Sequence, residues 1–126
     1  MSNLSLVNRY LTAFYAGSFE AAESCVADEF HFEGPFVETR GRSEFFSAAA
    51  RLKAMVRGHV LQKQWEDQAD ICSIYDVALQ TPIGTGNILM AEWNKVLNGK
   101  IMSGRLIFDS DAFRKIVPMA PAQSSQ

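Results

Sequence analysis

At 126 residues, the chain is long enough for one domain with a sizeable core and too short for two of ordinary size. Charged residues make up 21% and aromatics 11%, with nine Phe among them, and the formal net charge is -2. That composition excludes a disordered chain, and it lacks the concentrated basic surface that nucleic acid requires.

The one short basic set, Arg51, Lys53 and Arg57, falls on a single predicted helix and reads as a solvated face. No basic stretch followed by a long apolar run opens the chain, and nowhere do about 18 apolar residues stand together. Neither a signal peptide nor a membrane span is read, and a cytoplasmic setting is expected. Cys25 and Cys72 are too few for a disulfide framework, and with His31 and His59 they form no metal-ligand spacing. No metal and no cofactor is expected.

In chain order, Leu4, Val7, Leu11 and Phe14 recur at helical spacing beside a stripe of Leu6, Tyr10 and Ala13, and predict a first helix over residues 4–16, stopped by Gly17. Ser18 is placed to cap a short second helix carrying Phe19, Ala22 and Val26, with Asp28 and Glu29 marking its exit. Phe30-His31-Phe32-Glu33 alternates and is stopped by Gly34-Pro35, which predicts a short strand. A third helix is expected from Ser43 to about Val56, with Phe45, Phe46, Ala49, Leu52 and Val56 inward and Gly58 as its stop.

From His59 the period changes towards two. Strands are predicted over Val60–Glu66, Ile71–Thr81, Asn87–Leu97 and Lys100–Phe108, the last two joined by an Asn98-Gly99 hairpin turn. Asp109 is placed to cap a last helix through Val117, and residues 118–126 form a small, polar, proline-punctuated tail expected to be flexible. Pairing across the Pro82 to Gly86 loop sets Glu92 opposite Tyr75, Met90 opposite Val77 and Ile88 opposite Leu79. One sheet face then carries Ser73, Tyr75, Val77, Leu79, Ile88, Met90, Glu92, Asn94 and Val96. The other carries Cys72, Ile74, Asp76, Ala78, Leu89, Ala91, Trp93 and Leu97, and its largely apolar character points to a homodimer formed through the outer sheet face, the alternative being that Trp93 belongs to a monomer core.

The order of helices first and a strand meander after them defines an α+β domain. The run Asn8-Arg9-Tyr10-Leu11-Thr12-Ala13-Phe14-Tyr15-Ala16-Gly17-Ser18-Phe19-Glu20, followed by Phe30-His31-Phe32-Glu33-Gly34-Pro35, resembles the opening of the SnoaL-like and ketosteroid isomerase-like branches of the nuclear transport factor 2-like superfamily. Glu92-Trp93-Asn94-Lys95-Val96-Leu97-Asn98-Gly99-Lys100-Ile101 is similar to the strand, turn and Gly-Lys-Ile pattern of SnoaL-like proteins, and Arg105-Leu106-Ile107-Phe108-Asp109 resembles their closing strand. The resemblance implies one cone-shaped domain over residues 1–117, with three N-terminal helices packed on a strongly curved antiparallel sheet around a mostly apolar cavity.

The resemblance also nominates site residues. Tyr10 matches a position from which a tyrosine of helix one hydrogen-bonds a substrate carbonyl, where a pre-oriented phenol stabilises a developing enolate; by position alone it reads first as a core aromatic whose hydroxyl finds any available acceptor. Glu92 falls where the isomerases keep an acid protonated, with a longer side chain than their aspartate. Inside an aromatic cone its charged form would be disfavoured. The alternatives for Glu92 are an ion pair with Lys or Arg, or hydrogen bonds from Tyr75 or Tyr10. Phe14, Phe32, Tyr75, Val77, Met90 and Leu106 would form the walls, and Asn94 would add a polar group.

Gly34 stands where the isomerases carry their general base, whose contribution is about 100- to 10,000-fold in rate. Steroid isomerisation is therefore not expected. Leu106 occupies the place of the closing-strand aspartate in limonene-epoxide-hydrolase-like enzymes, so that chemistry is not supported by the same residues. Two functions remain open from the sequence. One is a cofactor-independent acid-base isomerase, cyclase or hydrolase acting on a small hydrophobic or carbonyl-bearing molecule; the other is a non-catalytic ligand-binding or accessory dimerisation domain.

Overall fold

Residues 2–118 are described by the structure, a computed structural model; the predicted tail from position 119 onward lies outside the described residues. Ser2 opens the first helix, α1 (Asn3–Tyr15), by accepting the backbone N–H of Ser5 at 3.0 Å. The apolar stripe of α1 buries Leu6, Val7, Tyr10, Leu11 and Phe14. Then follow α2 (Phe19–Glu23), β1 (Val26–Glu33), β2 (Glu38–Arg40), α3 (Arg42–Lys53), β3 (Val56–Asp67), β4 (Asp70–Thr81), β5 (Gly84–Leu97), β6 (Lys100–Phe108) and α4 (Ser110–Ile116).

The six strands form one sheet in the order β2-β1-β6-β5-β4-β3. It is not the entirely antiparallel sheet that the family resemblance implies, because β1 runs parallel to β6. Parallel neighbours need a long crossover, and the whole stretch from β2 to β5 supplies it. Bulges interrupt the ladders between Leu61 and Lys63 and between Lys95 and Val96, bending the strands they occupy. α1 packs on β3 and β4, and α3 on β1, so the helices cover one face of the sheet and the core lies between.

Several boundaries differ from the sequence expectation. Val26 belongs to β1, where it pairs with Ile101 and is fully buried; Asp28 and Glu29 continue the strand instead of ending a helix. Strand β2 has no counterpart among the predicted elements. It is three residues long, and Glu38-Thr39-Arg40 contains no apolar residue to mark its buried position in the sequence. Helix α3 ends at Lys53, and Val56 and Gly58 pair with Leu79 and Ala78 in β3, because the β-branched Val56 has a strand partner waiting.

The β4–β5 register moves by two residues. The turn is the tight pair Pro82-Ile83, and Gly84 to Gly86 join β5. Ser73 consequently faces Glu92, Tyr75 faces Met90, and Val77 faces Ile88. A two-residue slip keeps every side chain on its face, so the predicted inner set, from Ser73 to Leu79 and from Ile88 to Val96, is buried throughout. Glycine at Gly86 has a packing reason: a Cβ there would lie 2.8 Å from Cδ1 of Ile116, which seats α4 against the sheet. On the outer face Trp65, Leu89, Trp93 and Ile107 remain about half exposed or more.

Candidate functional site

The space between α1, α3, α4, the β1–β2 loop and the inner face of β5 and β6 is a cavity of about 290 Å³. Tyr10, Phe14, Phe32, Met90, Glu92 and Leu106 all line it. Tyr75, Val77 and Asn94 are fully buried on the same sheet face but stand outside the lining. Two of these three still bear on the cavity, because they hold Glu92.

Glu92 is 3% exposed. The Tyr75 hydroxyl donates to its Oε1 at 2.6 Å, and Asn94 Nδ2 donates to its Oε2 at 3.1 Å and to the Ser103 carbonyl at 3.3 Å. The Tyr15 hydroxyl lies 2.9 Å from that of Tyr75, where either can donate, and 3.7 Å from Met90 Sδ. No Lys, Arg or His among the described residues forms an ion pair with Glu92. Burial pushes its carboxyl above the ordinary value, and the bonds from Tyr75 and Asn94 pull the other way without reversing it.

The neutral form that burial favours carries a proton of its own, and the Tyr75 hydroxyl can accept it by turning its own proton to Tyr15, while the carboxyl borders the cavity. Asn94 Oδ1 is buried and unpartnered among the described residues. Burial, and after it the nearby Glu92 carboxylate charge, raise the Tyr10 and Tyr75 hydroxyls well above their usual value, and Tyr15 rises for the same two reasons. All three remain protonated donors.

Tyr10 comes from the middle of α1, its ring 6.0 Å from Phe14 and 6.3 Å from Phe30. Its hydroxyl makes no hydrogen bond among the described residues, which leaves it free to donate into the cavity. Gly34 also lines the cavity, at the start of the loop after β1, and a Cβ there would meet the edge of the Phe32 ring at 3.2 Å and the Val37 carbonyl oxygen at 3.8 Å. Among the described residues no three His, Cys, Asp or Glu side chains gather as metal ligands.

Four contributors to the site escape sequence reasoning. Tyr15 lines the cavity and ends the hydroxyl chain; its position four residues after the buried Leu11 is the available signal. Arg51, which reads from sequence as part of a solvated face, borders the cavity, and Phe113 of α4 closes part of it. Gly104 is the fourth. A Cβ on Gly104 would stand 3.2 Å from Asn94 Nδ2 and 3.3 Å from Glu92 Oε2, so the missing side chain makes the room in which the acid and amide meet.

No family model matches the sequence, and no curated protein matches it. Solved structures do. An NTF2-like protein of unknown function from Cytophaga hutchinsonii is 23% identical, with 90% of this chain and 95% of that one covered at a TM-score of 0.76. An NTF2-like protein of unknown function from Burkholderia pseudomallei is 13% identical over 94% of this chain and all of its own, 100%, with a TM-score of 0.83. An LEH-like epoxide hydrolase from M. tuberculosis is 20% identical, covering 90% of this chain and 88% of its own, at 0.78. The chain has the nuclear transport factor 2-like fold.

Proposed function

We propose that this domain is a cofactor-independent acid-base enzyme of the SnoaL-like, ketosteroid isomerase-like kind, binding a small hydrophobic molecule that carries a carbonyl or similar oxygen in a cone-shaped enclosure. The observation that carries this is the buried, cation-free carboxyl of Glu92 at the edge of an apolar cavity. An acid whose neutral form burial favours can donate to a substrate oxygen and take the proton back once charge has moved. Tyr10 supplies a second donor to the same oxygen, and the Tyr15–Tyr75 pair stabilises the carboxylate in the interval. An epoxide hydrolase-like neighbour of the same fold agrees with chemistry at a ligand oxygen. It does not select the reaction.

Glu92 is the sole carboxylate among the described residues lining the cavity. That favours a second reading, a binding or accessory domain without turnover, since no partner base stands opposite the acid. Mass spectrometry of small molecules retained by the purified protein, repeated on Glu92→Gln and Tyr10→Phe, separates the two. Accumulation of unaltered ligand in Glu92→Gln where the wild type holds a converted product supports the enzyme. The same ligand in both, in equal amount, supports the binding domain; no retained ligand in any form counts against both.

A homodimer through the outer sheet face completes the proposed function. Trp65 and Trp93 flank Cys72 across β3, β4 and β5, and Ile74, Ala91 and Ile107 form the next row. Lys95 and Asp70, 3.1 Å apart, lie beside these rows with Lys63 and Arg105. Charges of both signs around an apolar centre suit a surface that meets its own copy.

A further inference from the structure

The two ends of the cavity differ in charge, and the difference specifies a ligand class, given that the cavity is a ligand site as the proposed function requires. Its buried end presents the Glu92 carboxyl, which has no cation partner among the described residues, and Tyr10. At the other end stands Arg51, an exposed residue of α3 that lines the cavity and donates to the carbonyl of Pro118 beyond α4. One of five guanidinium N–H groups is used by that bond. Arg40, Arg42, Arg105, Lys95 and Lys115 each lie within 4.0 Å of a carboxylate. Arg51 is among the Lys and Arg residues that meet none among the described residues, and it alone of these lines the cavity.

A second cation lies over a lining residue: Arg114 of α4 stands 5.0 Å from the ring centroid of Phe36, which borders the cavity, and it too has no carboxylate partner among the described residues. On a chain of net charge -2, a guanidinium on the lining with no carboxylate partner among the described residues favours an anion there.

We propose that the ligand is an amphipathic monocarboxylate. Its carboxylate is held at the mouth by Arg51, its ring body lies between Phe14, Phe32, Phe45 and Leu106, and an acceptor oxygen at its far end meets Glu92 and Tyr10. A volume near 290 Å³ is at the low end of the roughly 300–1,000 Å³ typical of small-molecule sites, so the body is one or two rings. A planar carboxylate fits the paired donors of a guanidinium.

A basic residue in the last turn of a helix also complements the helix dipole, and if that were all Arg51 did, it would not affect which ligand binds. Calorimetric titration decides between these, using 2-naphthoic acid and biphenyl-4-carboxylic acid against their methyl esters at pH 7. The wild type should prefer the acids by roughly fivefold, the scale of a solvent-facing ion pair. Arg51→Gln should abolish the preference and leave ester affinity unchanged, and Ala49→Phe, which fills the cavity, should weaken acid and ester alike. Equal affinity for acid and ester in the wild type, or a preference that survives Arg51→Gln, overturns the carboxylate assignment while leaving the cavity as a ligand site. Absence of binding by all four probes, or binding unaffected by Ala49→Phe, overturns the cavity reading and the carboxylate with it.

Discussion

A carboxyl held by two donors and no cation is stabilised in its neutral form by burial and in its charged form by those donors, so removing a donor moves the balance predictably. Tyr75→Phe deletes the 2.6 Å bond to Glu92 and should raise the Glu92 titration further, at a stability cost of about 1–3 kcal/mol for the polar groups left unserved. Urea unfolding and carboxyl NMR on the same variant check both halves. Gly104→Ala should destabilise by about 1–3 kcal/mol, because a Cβ must push aside a packed amide and carboxyl; a neutral result would show that the pair has slack. At Gly34, the wild type should turn over a β,γ-unsaturated 3-oxosteroid no faster than buffer, and Gly34→Asp should install weak activity by bringing a base to the cavity wall. Brisk turnover by the unmodified chain would mean that another group carries the proton. The inward placement of Glu92 and Tyr10 is legible in the sequence because the face of a strand and the stripe of a helix follow from periodicity, while their nomination as site residues rests on the family resemblance. Gly104 and Arg51 are not, since a glycine's value lies in what its neighbours need, and a charge on an exposed helix looks the same beside a cavity as beside water.

Among the elements, the long helices and strands are readable from sequence and their junctions are not. α1, β4 and β6 lie within a residue or two of the pattern that predicts them, whereas the pattern extends α3 into β3 and gives three residues of β5 to a loop. The glycines Gly84 and Gly86 carry the misleading signal. They punctuate the sequence like turn residues, yet they sit in a strand because α4 lies on them, with Ile116 against Gly86. That contact is a close approach between elements, which a local window does not see. Gly86→Ala should therefore cost about 1 kcal/mol or more by overpacking against Ile116, and Ile116→Val should return part of the loss. Additive effects in the double variant would show that α4 is seated by other contacts. The β4–β5 faces survive the displaced loop since the slip is even; a one-residue error would have turned Glu92 outward.

For the molecule as a whole, the proposed dimer and the pH dependence of stability are the measurable consequences. Light scattering should give twice the chain mass for the wild type at micromolar concentration and a lower mass for Trp93→Glu, which sets a charge in the outer apolar row; a monomeric wild type would refute the interface. Glu92 binds its proton more tightly folded than unfolded, where its ordinary value is 4.5. The stability that this contributes is complete below the unfolded value and is lost as pH rises through the folded one. The difference between wild type and Glu92→Gln should accordingly shift in favour of the variant as pH rises above about 4.5, by at most about 1.4 kcal/mol per pH unit. The most direct test is titration of the Glu92 carboxyl itself, by carbon-detected NMR of the folded protein with Glu92→Gln to assign the signal. A midpoint well above 4.5 is predicted, with the neutral acid persisting towards neutral pH. A midpoint at or below the ordinary value would contradict the assignment of Glu92 as a buried proton donor, and with it the acid-base function.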